Sequence, residues 1–391
     1  MGDAYDNPFE RYSYRSELIE HLRSTETPVK FGRVSVQSAH RFGFCWGVDR
    51  AVAMVRDAIQ ENPGRQIWLL DQIIHNPRVN SDFKEQGVRF LRGPFADKEA
   101  QEEPQPEDMV VIPAFSATVE DTEWLETVGC TVVDTTCPWV IKPHKRSLNY
   151  VKDGFTTLIH GLVLHEETMA SCSLIASKGG AYLVVADREQ AGWVCDTISG
   201  VLSGETLLGR LPDGAVSEGF EPQEDLEKVG TINQTTMLAS ETRSIEGMVR
   251  KVLIEKHGAM DVDQHFRELN TICGATQDNQ DAVEAMAEGD QLTLLIVVGG
   301  FDSSNTRNLT RVGHDRFPSY HVDGPDAIDQ QSIHHRCPES HDFVDTSDWL
   351  PKGDVTIGFT AGASTPDTLL AETIRRVLEV AGTFEELVLP S

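Results

Sequence analysis

The sequence lacks features that would assign it to several broad classes of protein. No apolar run approaches the length of a membrane-spanning helix, so no membrane-embedded segment is expected. Positive charge is scarce, with 34 Lys and Arg residues against 62 Asp and Glu residues and a formal net charge of −28. This balance argues against nucleic acid as a partner, because binding to the phosphate backbone requires an excess of cationic side chains.

Paired cysteine motifs and phosphate-binding glycine motifs are also missing. The seven cysteines are an odd number and form no CxxC pair, which argues against a disulfide framework. The first 30 residues mix both charges and resemble neither a secretory signal nor a transit peptide. Together these observations predict a cytoplasmic protein. Neither GxGxxG nor GxxxxGK followed by Ser or Thr occurs, so a standard dinucleotide or P-loop site is not expected.

Three cysteines occur where a strand-like pattern ends and a helix-like pattern begins. Cys45 lies at such a junction, flanked by Gly43 and Gly47, and Cys137 and Cys273 occupy equivalent positions. The start of a helix favours a thiolate, because its N–H groups point towards the preceding residue. The recurrence suggests a threefold internal repeat whose thiolates meet in a metal centre if the three units face one axis. The alternative is three separate buried cysteines, since cysteine is often buried.

The alternation of strand, loop and helix along the chain is typical of an α/β protein. Ligands of open α/β sheets bind at the carboxyl ends of the strands, so the chemistry is expected in the loops that follow them. Several of these loops carry imidazole, hydroxyl or amide groups, namely His75, His165, Gln234–Thr236, Ser303, Ser304, Asn305 and Ser364. Such a set suits a small, multiply charged oxyanion such as a diphosphate. Each loop could instead be only a turn or a helix cap.

Two further groups of charged residues have a candidate role. Glu167 is a candidate proton donor if it is buried near the metal, because burial raises the pKa of a carboxyl group. Its neighbour Glu166 could equally face solvent. The basic run Lys142–Arg146 fits a solvated helix face, or a place where an electron carrier docks.

A series of short motifs extends over nearly the whole chain, from about Val34 to Val380. They are Gly43–Arg50, Thr135–Pro138, His165–Thr168, Gln234–Thr236, Cys273–Gln277, Ser303–Asn305 and Thr360–Ser364. Together they resemble the LytB/IspH family of 4-hydroxy-3-methylbut-2-enyl diphosphate reductases. The resemblance implies reductive dehydroxylation of this allylic diphosphate to isopentenyl and dimethylallyl diphosphate, the last step of the methylerythritol phosphate pathway.

The resemblance also implies three similar α/β domains in a pseudo-threefold arrangement around a central 4Fe-4S cluster. The cluster ligands would be Cys45, Cys137 and Cys273. The diphosphate would be bound by His75, His165, Ser303, Ser304, Asn305 and Ser364. Thr235 would contact the substrate hydroxyl, Glu167 would deliver protons, and a ferredoxin- or flavodoxin-type donor would supply electrons. The expected divisions are an N-terminal extension over residues 1–33 and domains over residues 34–134, 135–270 and 271–391.

The chain departs from the common family pattern at residue 118. Family members with a Ser-Ala-His sequence in this loop place another histidine on the diphosphate, whereas this chain has Phe115-Ser-Ala-Thr118. The departure resembles the cyanobacterial and plastid branches, which also carry N-terminal extensions. Here the extension is expected to be a peripheral arm with a helix over Tyr14–Leu22, and the long segment His314–Leu350 is expected to reshape the edge of the third domain.

Two other functions fit the same cysteine pattern. One is a hydratase-type enzyme, which uses a three-cysteine cluster with an open iron but transfers no net electrons. The other is an iron–sulfur sensor or carrier without catalysis.

Overall fold

The computed structural model describes residues 14–25, 27–96, 102–289, 292–338, 340 and 342–384. In chain order the strands are β1 (Val29–Phe31), β2 (Val34–Ser38), β3 (Ile67–Leu69), β4 (Arg89–Phe90), β5 (Met109–Ile112), β6 (Thr131–Asp134), β7 (Thr156–His160), β8 (Tyr182–Val185), β9 (Val229–Asn233), β10 (Phe266–Arg267), β11 (Leu294–Val298), β12 (Ser319–Val322), β13 (Ser332–Arg336), β14 (Phe343–Ser347) and β15 (Val355–Ala361).

The α-helices alternate with these strands, and one short 3-10 helix covers Pro325–Ala327. In chain order the α-helices are α1 (Glu17–Arg23), α2 (Trp46–Glu61), α3 (Pro77–Glu85), α4 (Val119–Val128), α5 (Pro138–Lys152), α6 (Glu166–Ser177), α7 (Arg188–Ile198), α8 (Gly204–Arg210), α9 (Pro222–Asp225), α10 (Ala239–His257), α11 (Val262–His265), α12 (Gly274–Glu288), α13 (Ser304–His314) and α14 (Asp367–Val380). No described helix is both long enough and apolar enough to cross a membrane.

The strands form three sheets, which confirms the predicted α/β class. A seven-stranded sheet has the order β1-β2-β15-β11-β12-β13-β14, and its four central strands are parallel. Two four-stranded sheets, β10-β9-β7-β8 and β4-β3-β5-β6, are parallel throughout. Strands β7, β9 and β11 are buried along their whole length, as expected for parallel strands that are covered on both faces.

The described residues form two compact units. The first contains those up to Glu61, Ile74–Gln86 and those from Gly274 onwards, and the second contains Asn62–Ile73 and Gly87–Cys273. The seven-stranded sheet lies in the first unit, and both four-stranded sheets lie in the second.

The first unit combines parts of the predicted first domain with the predicted third domain. Strand β2, expected to open a domain over residues 34–134, pairs in parallel with β15, with Val34 opposite Val355. A local pattern predicts a strand but not its partner, so the sequence could not reveal this long-range pairing. The division into three domains at residues 34–134, 135–270 and 271–391 stays a prediction.

The N-terminal helix is part of the core of the first unit, so the expectation that it would be peripheral is wrong. Leu18 and Ile19 are fully buried and Leu22 is 2% exposed, and all three belong to the same hydrophobic cluster as β11 and β15. Their spacing places them on one face of α1, which packs against α14 and β2. Residues 1–13 of the predicted extension lie outside the described residues.

The long segment His314–Leu350 lies at one edge of the seven-stranded sheet. It supplies β12 in the parallel part of the sheet and the antiparallel hairpin of β13 and β14 at the edge.

Candidate active site

Glu167 and Thr235, the two residues predicted to act on the substrate hydroxyl, are in direct contact. The Glu167 side chain is only 1% exposed. Its Oε1 accepts a hydrogen bond from the Thr235 backbone N–H at 2.7 Å, and its Oε2 accepts one from Thr235 Oγ1 at 2.9 Å. Two donors from one residue fix the orientation of the carboxylate. The sequence predicted both residues, but not that they pair.

The pair forms because β7 and β9 are parallel neighbours whose carboxyl ends meet, with His160 opposite Asn233. The chain leaves β7 through Gly161, where a Cβ atom would lie 2.8 Å from Thr168 Oγ1. Gln234 then joins the two loops. Its N–H donates to the His160 carbonyl at 2.9 Å, and its Oε1 accepts from the backbone N–H of Leu162 at 3.0 Å.

Cys273 is attached to the same pair through the backbone. Its N–H donates to the carbonyl of Thr235 at 3.1 Å. The chain before it is held by Thr271 and Asn233, which lie 38 residues apart: each backbone N–H donates to the other side chain at 2.9 Å. Sequence reasoning missed these two residues. The one available signal was a polar residue at the end of a strand.

Cys137 occupies the N-cap position of α5, and Pro138 is the first residue of the helix, a position that suits proline. The Cys137 N–H donates to the carbonyl of Ala114, which follows β5, at 3.0 Å. Thr135 Oγ1 donates to the carbonyl of Ile112 at 2.6 Å. The cysteine therefore lies at the carboxyl ends of β5 and β6, as the strand-to-helix pattern predicted.

His165 caps α6 through its ring. Nδ1 accepts a hydrogen bond from the Glu167 backbone N–H at 3.2 Å, so in the neutral ring Nε2 carries the proton and can donate. Phe115 packs against the ring edge-on, with centroids 5.6 Å apart. Glu166 is more exposed than Glu167, with 25% of its side chain accessible.

Thr118 also caps a helix. Its Oγ1 accepts from the backbone N–H of Asp121, in the first turn of α4, at 3.1 Å. The next residue, Val119, donates its N–H to Ser173 Oγ of α6 at 2.8 Å, which ties the two helices together. The cap accounts for a hydroxyl at this position without a ligand, and the contact with a diphosphate stays a prediction.

The remaining predicted residues lie in the first unit, in loops at the carboxyl end of the seven-stranded sheet and in the loop before α3. They are Cys45, His75, Ser303, Ser304, Asn305 and Ser364. The Cys45 N–H donates to the carbonyl of Ala363 at 3.2 Å, and Asn305 Oδ1 accepts from the Ala363 N–H at 2.9 Å. Ser364 Oγ donates to the His75 carbonyl at 3.2 Å. These bonds bring Cys45, His75, Asn305 and Ser364 into one cluster.

Close backbone approach in this cluster requires glycine at two positions. A Cβ atom on Gly300 would lie 2.5 Å from the His75 carbonyl oxygen, and one on Gly362 would lie 2.1 Å from Thr306 Oγ1. Ser303 caps α13, and its Oγ accepts from the backbone N–H of Thr306 at 3.2 Å. The first turn of α13 provides further N–H groups, which favour an anion.

The cysteines differ in their suitability as metal ligands, although all seven are thiols rather than disulfides. Cys45, Cys137 and Cys273 are partly exposed and directly precede α2, α5 and α12. In contrast, burial raises the pKa of Cys172 to about 12 and that of Cys195 to about 11. These two side chains therefore remain protonated, whereas the donor set of the other three fits a thiolate-bound metal centre.

Comparison with known proteins agrees with the predicted family. The family model described as LytB protein matches residues 36–378. A protein of Synechococcus sp. strain RCC307 is 42% identical over 370 residues, covering 94% of this chain and 89% of its own length. A protein of Gloeobacter violaceus is 41% identical over 377 residues, covering 95% and 89%. Both are named 4-hydroxy-3-methylbut-2-enyl diphosphate reductase, and they agree with the cyanobacterial branch predicted from residue 118.

Two solved structures share the fold. One, described as the (E)-4-hydroxy-3-methyl-but-2-enyl diphosphate reductase that is the terminal enzyme of the non-mevalonate pathway, gives a TM-score of 0.52 at 24% identity, covering 88% of this chain and 99% of that chain. The other, the E-1-hydroxy-2-methyl-but-2-enyl-4-diphosphate reductase of Plasmodium falciparum, gives a TM-score of 0.63 at 19% identity, covering 88% and 87%. The family model and the relatives together show that this chain belongs to the LytB family.

Proposed function

We propose that this protein is a 4-hydroxy-3-methylbut-2-enyl diphosphate reductase, which removes the allylic hydroxyl of its substrate and forms isopentenyl and dimethylallyl diphosphate. The observation that carries the proposal is the connected group of Glu167, Thr235 and Cys273, in which a buried carboxylate, a hydroxyl and a cysteine are linked by hydrogen bonds. The activity for which relatives about 40% identical over most of the chain are named supports it.

The cofactor in this proposal is a 4Fe-4S cluster held by Cys45, Cys137 and Cys273. When bound, such a cluster would supply single electrons and, at the one iron that no cysteine holds, a Lewis acid. The donor set supports this assignment, because these three thiols precede helices while Cys172 and Cys195 are held in the protonated form. The ferredoxin- or flavodoxin-type donor and the cytoplasmic location stay predictions.

In the proposed reaction, Glu167 and Thr235 deliver the proton that allows the hydroxyl to leave as water. When Glu167 is protonated, its Oε2–H gives the proton to Thr235 Oγ1, 2.9 Å away, while Thr235 gives its own hydroxyl proton to the leaving group. After the transfer the Thr235 hydroxyl donates to the Glu167 carboxylate, which is the direction of this hydrogen bond in the structure. Thr235 ends neutral and Glu167 ends as a carboxylate, so the charge stays on the more acidic group. The bond from the Thr235 N–H holds Glu167 in place before and after this transfer.

The diphosphate in this proposal is bound by His75, His165, Ser303, Ser304, Asn305 and Ser364, with Thr118 as a further candidate. Two observations support the assignment. His165 carries its proton on Nε2 in the neutral ring, the form that can donate to a phosphate oxygen, because Nδ1 accepts from the Glu167 N–H. Ser303, Ser304 and Asn305 form the start of α13, where the helix dipole favours negative charge.

Turnover of the cluster-loaded protein under anaerobic conditions tests the proposal. With 4-hydroxy-3-methylbut-2-enyl diphosphate and a reduced viologen, we expect the viologen to be oxidised in proportion to the isopentenyl and dimethylallyl diphosphate formed. Turnover that continues without reductant would instead indicate the hydratase-type alternative. A change in the cluster spectrum on addition of substrate without any product would indicate a sensor.

A further inference from the structure

A second group of metal-ligating side chains lies in the second unit, away from the candidate active site. Glu227 precedes β9, His257 is the last residue of α10 and His265 is the last residue of α11. One carboxylate oxygen and one nitrogen of each ring all lie within 4.8 Å of one another. Glu227 is at the amino end of β9, whereas Thr235 follows its carboxyl end, so the length of a five-residue strand, roughly 17 Å, separates the two places.

The two imidazole rings are stacked, with centroids 3.5 Å apart and an angle of 7° between their planes. Two imidazolium ions would repel each other strongly at this distance. The stacking therefore favours a pair in which at least one ring is neutral, and a neutral imidazole has a nitrogen lone pair that can bind a metal.

The hydrogen bonds show which nitrogen of each ring is available. His265 Nδ1 lies 2.9 Å from the backbone carbonyl oxygen of Glu227, so Nδ1 carries the proton and Nε2 has the lone pair. A hydrogen bond of this kind orients histidines that bind metals. His257 Nε2 is buried, has no hydrogen-bond partner among the described residues, and lies 3.4 Å from Glu227 Oε2.

We propose that Glu227, His257 and His265 form a binding site for a divalent transition metal, best suited to Zn²⁺. Two imidazoles and one carboxylate are a donor set that zinc uses in proteins, with water in the remaining position. Lys256 pairs with the other carboxylate oxygen of Glu227, Oε1, which leaves Oε2 facing His257. The positive charge of Lys256 opposes a cation here, so it limits the affinity of the site.

A metal at this place would add a link between three segments. They are the chain entering β9, the end of α10, and α11. The chain runs from α11 through β10, which pairs with β9, towards the loop that ends in Cys273. The site therefore has a structural role, and the bound metal would stabilise the folded state in proportion to the logarithm of its concentration.

Zn²⁺ binding to the full-length protein, measured by competition with a chromophoric chelator, tests the proposal. The quantity compared is the number of Zn²⁺ ions bound per chain in the wild type and in two site variants. We expect the wild-type protein to bind one more equivalent of Zn²⁺ than either His265→Gln or Glu227→Gln. Any Zn²⁺ bound by the cysteines is common to all three proteins and cancels in this difference. His334→Gln is the matched control, because it removes an exposed histidine of the first unit, and it should keep the extra equivalent. Equal stoichiometry in the wild type and both site variants would overturn the proposal.

A variant that should bind Zn²⁺ more tightly, rather than lose it, provides a second readout. Lys256→Gln removes the competing cation, so its apparent Kd for Zn²⁺ should fall about tenfold. Zn²⁺ should also raise the unfolding temperature of the wild type but not that of His265→Gln, with both compared in chelator to confirm that the variant folds. Unchanged or weaker binding by Lys256→Gln would contradict the assignment of Glu227 as a ligand.

Discussion

At the scale of single residues, Thr235 orients the Glu167 carboxylate. Both carboxylate oxygens accept from that one residue, and Ser171 Oγ donates to the Glu167 carbonyl at 3.0 Å, which secures the backbone. The adjacent Glu166 has a quarter of its side chain exposed. The burial of Glu167 and the exposure of Glu166 are consistent with the choice of Glu167 as the proposed acid, which stays a prediction.

Replacing Glu167 by Gln tests its role as the proton source. The amide keeps the size of the side chain but cannot supply an acidic proton, so turnover should fall by about 10²–10⁴-fold. Iron content and diphosphate binding should stay as in the wild type. Glu166→Gln is the control, measured in the same anaerobic assay, and should stay near the wild-type rate. If Glu166→Gln were the more impaired variant, the acid would be assigned to the wrong residue.

The sequence alone could not identify the residues whose role is to position the backbone. Glu167 and Thr235 could be named because they follow strands and belong to short motifs. Asn233 and Thr271 bond to each other across 38 residues, and their roles depend on a strand pairing that no local pattern shows. The same holds for Glu227, His257 and His265, which form no recognisable motif in the sequence.

At the scale of secondary structure elements, α1 holds the loop that carries Cys45. Arg23 binds Asp367, the first residue of α14, through two hydrogen bonds of 2.7 Å. It also donates to the Phe42 carbonyl at 3.2 Å, and its guanidinium lies 4.5 Å from the centre of the Phe42 ring. Tyr14 packs edge-on against Phe44, with centroids 5.5 Å apart. These described N-terminal residues thus stabilise the loop that leads to Cys45, a proposed cluster ligand.

Arg23→Ala should destabilise the protein by about 2–4 kcal/mol, because it leaves the carboxylate of Asp367 buried without its partner. Arg23→Lys should have an intermediate effect, since an ammonium group cannot make both hydrogen bonds in the same geometry. The control is Arg78→Ala, which breaks a more exposed ion pair with Glu372 and should cost less than about 1 kcal/mol. Denaturant unfolding measures all three, and an equal loss for Arg23→Ala and Arg78→Ala would contradict this role for α1.

Helix α10 carries a buried carboxyl group that makes stability depend on pH. Burial raises the pKa of Glu246 from 4.5 to about 7, and the nearby Glu268 adds to the shift. Between these two pH values the folded state retains a proton that the unfolded state releases. The contribution of protonated Glu246 to the free energy of unfolding is therefore fully present below pH 4.5 and is lost as the pH rises through 7.

Glu246→Gln removes this dependence because the amide is neutral at every pH. The variant should be more stable than the wild type by on the order of 2 kcal/mol at pH 8, with little difference near pH 4.5. Glu255→Gln, on an exposed part of the same helix, should show no such divergence. Denaturant unfolding at several pH values measures the difference, and parallel curves for wild type and Glu246→Gln would contradict the prediction.

At the scale of the whole molecule, the sequence predicted the class of fold better than its connectivity. Alternating strand and helix patterns were sufficient for the α/β class, and strands such as Leu294–Val298 were visible as buried apolar runs. The pairing of Val34–Ser38 with Val355–Ala361 was not visible, because register and partner depend on contacts between distant parts of the chain. The burial of α1 was missed for a related reason, since a short apolar stripe does not reveal the surface that covers it.

The proposed reductase activity depends on a cluster held by Cys45, Cys137 and Cys273. Iron and sulfide content per chain, together with visible absorbance after anaerobic purification, measures whether each of these cysteines is required for the cluster. Cys45→Ser, Cys137→Ser and Cys273→Ser should each lose most of the cluster. Cys337→Ser, which changes a residue of the β13–β14 hairpin connection, should keep it. An equal loss for Cys337→Ser, or a full cluster in any of the other three variants, would contradict the account.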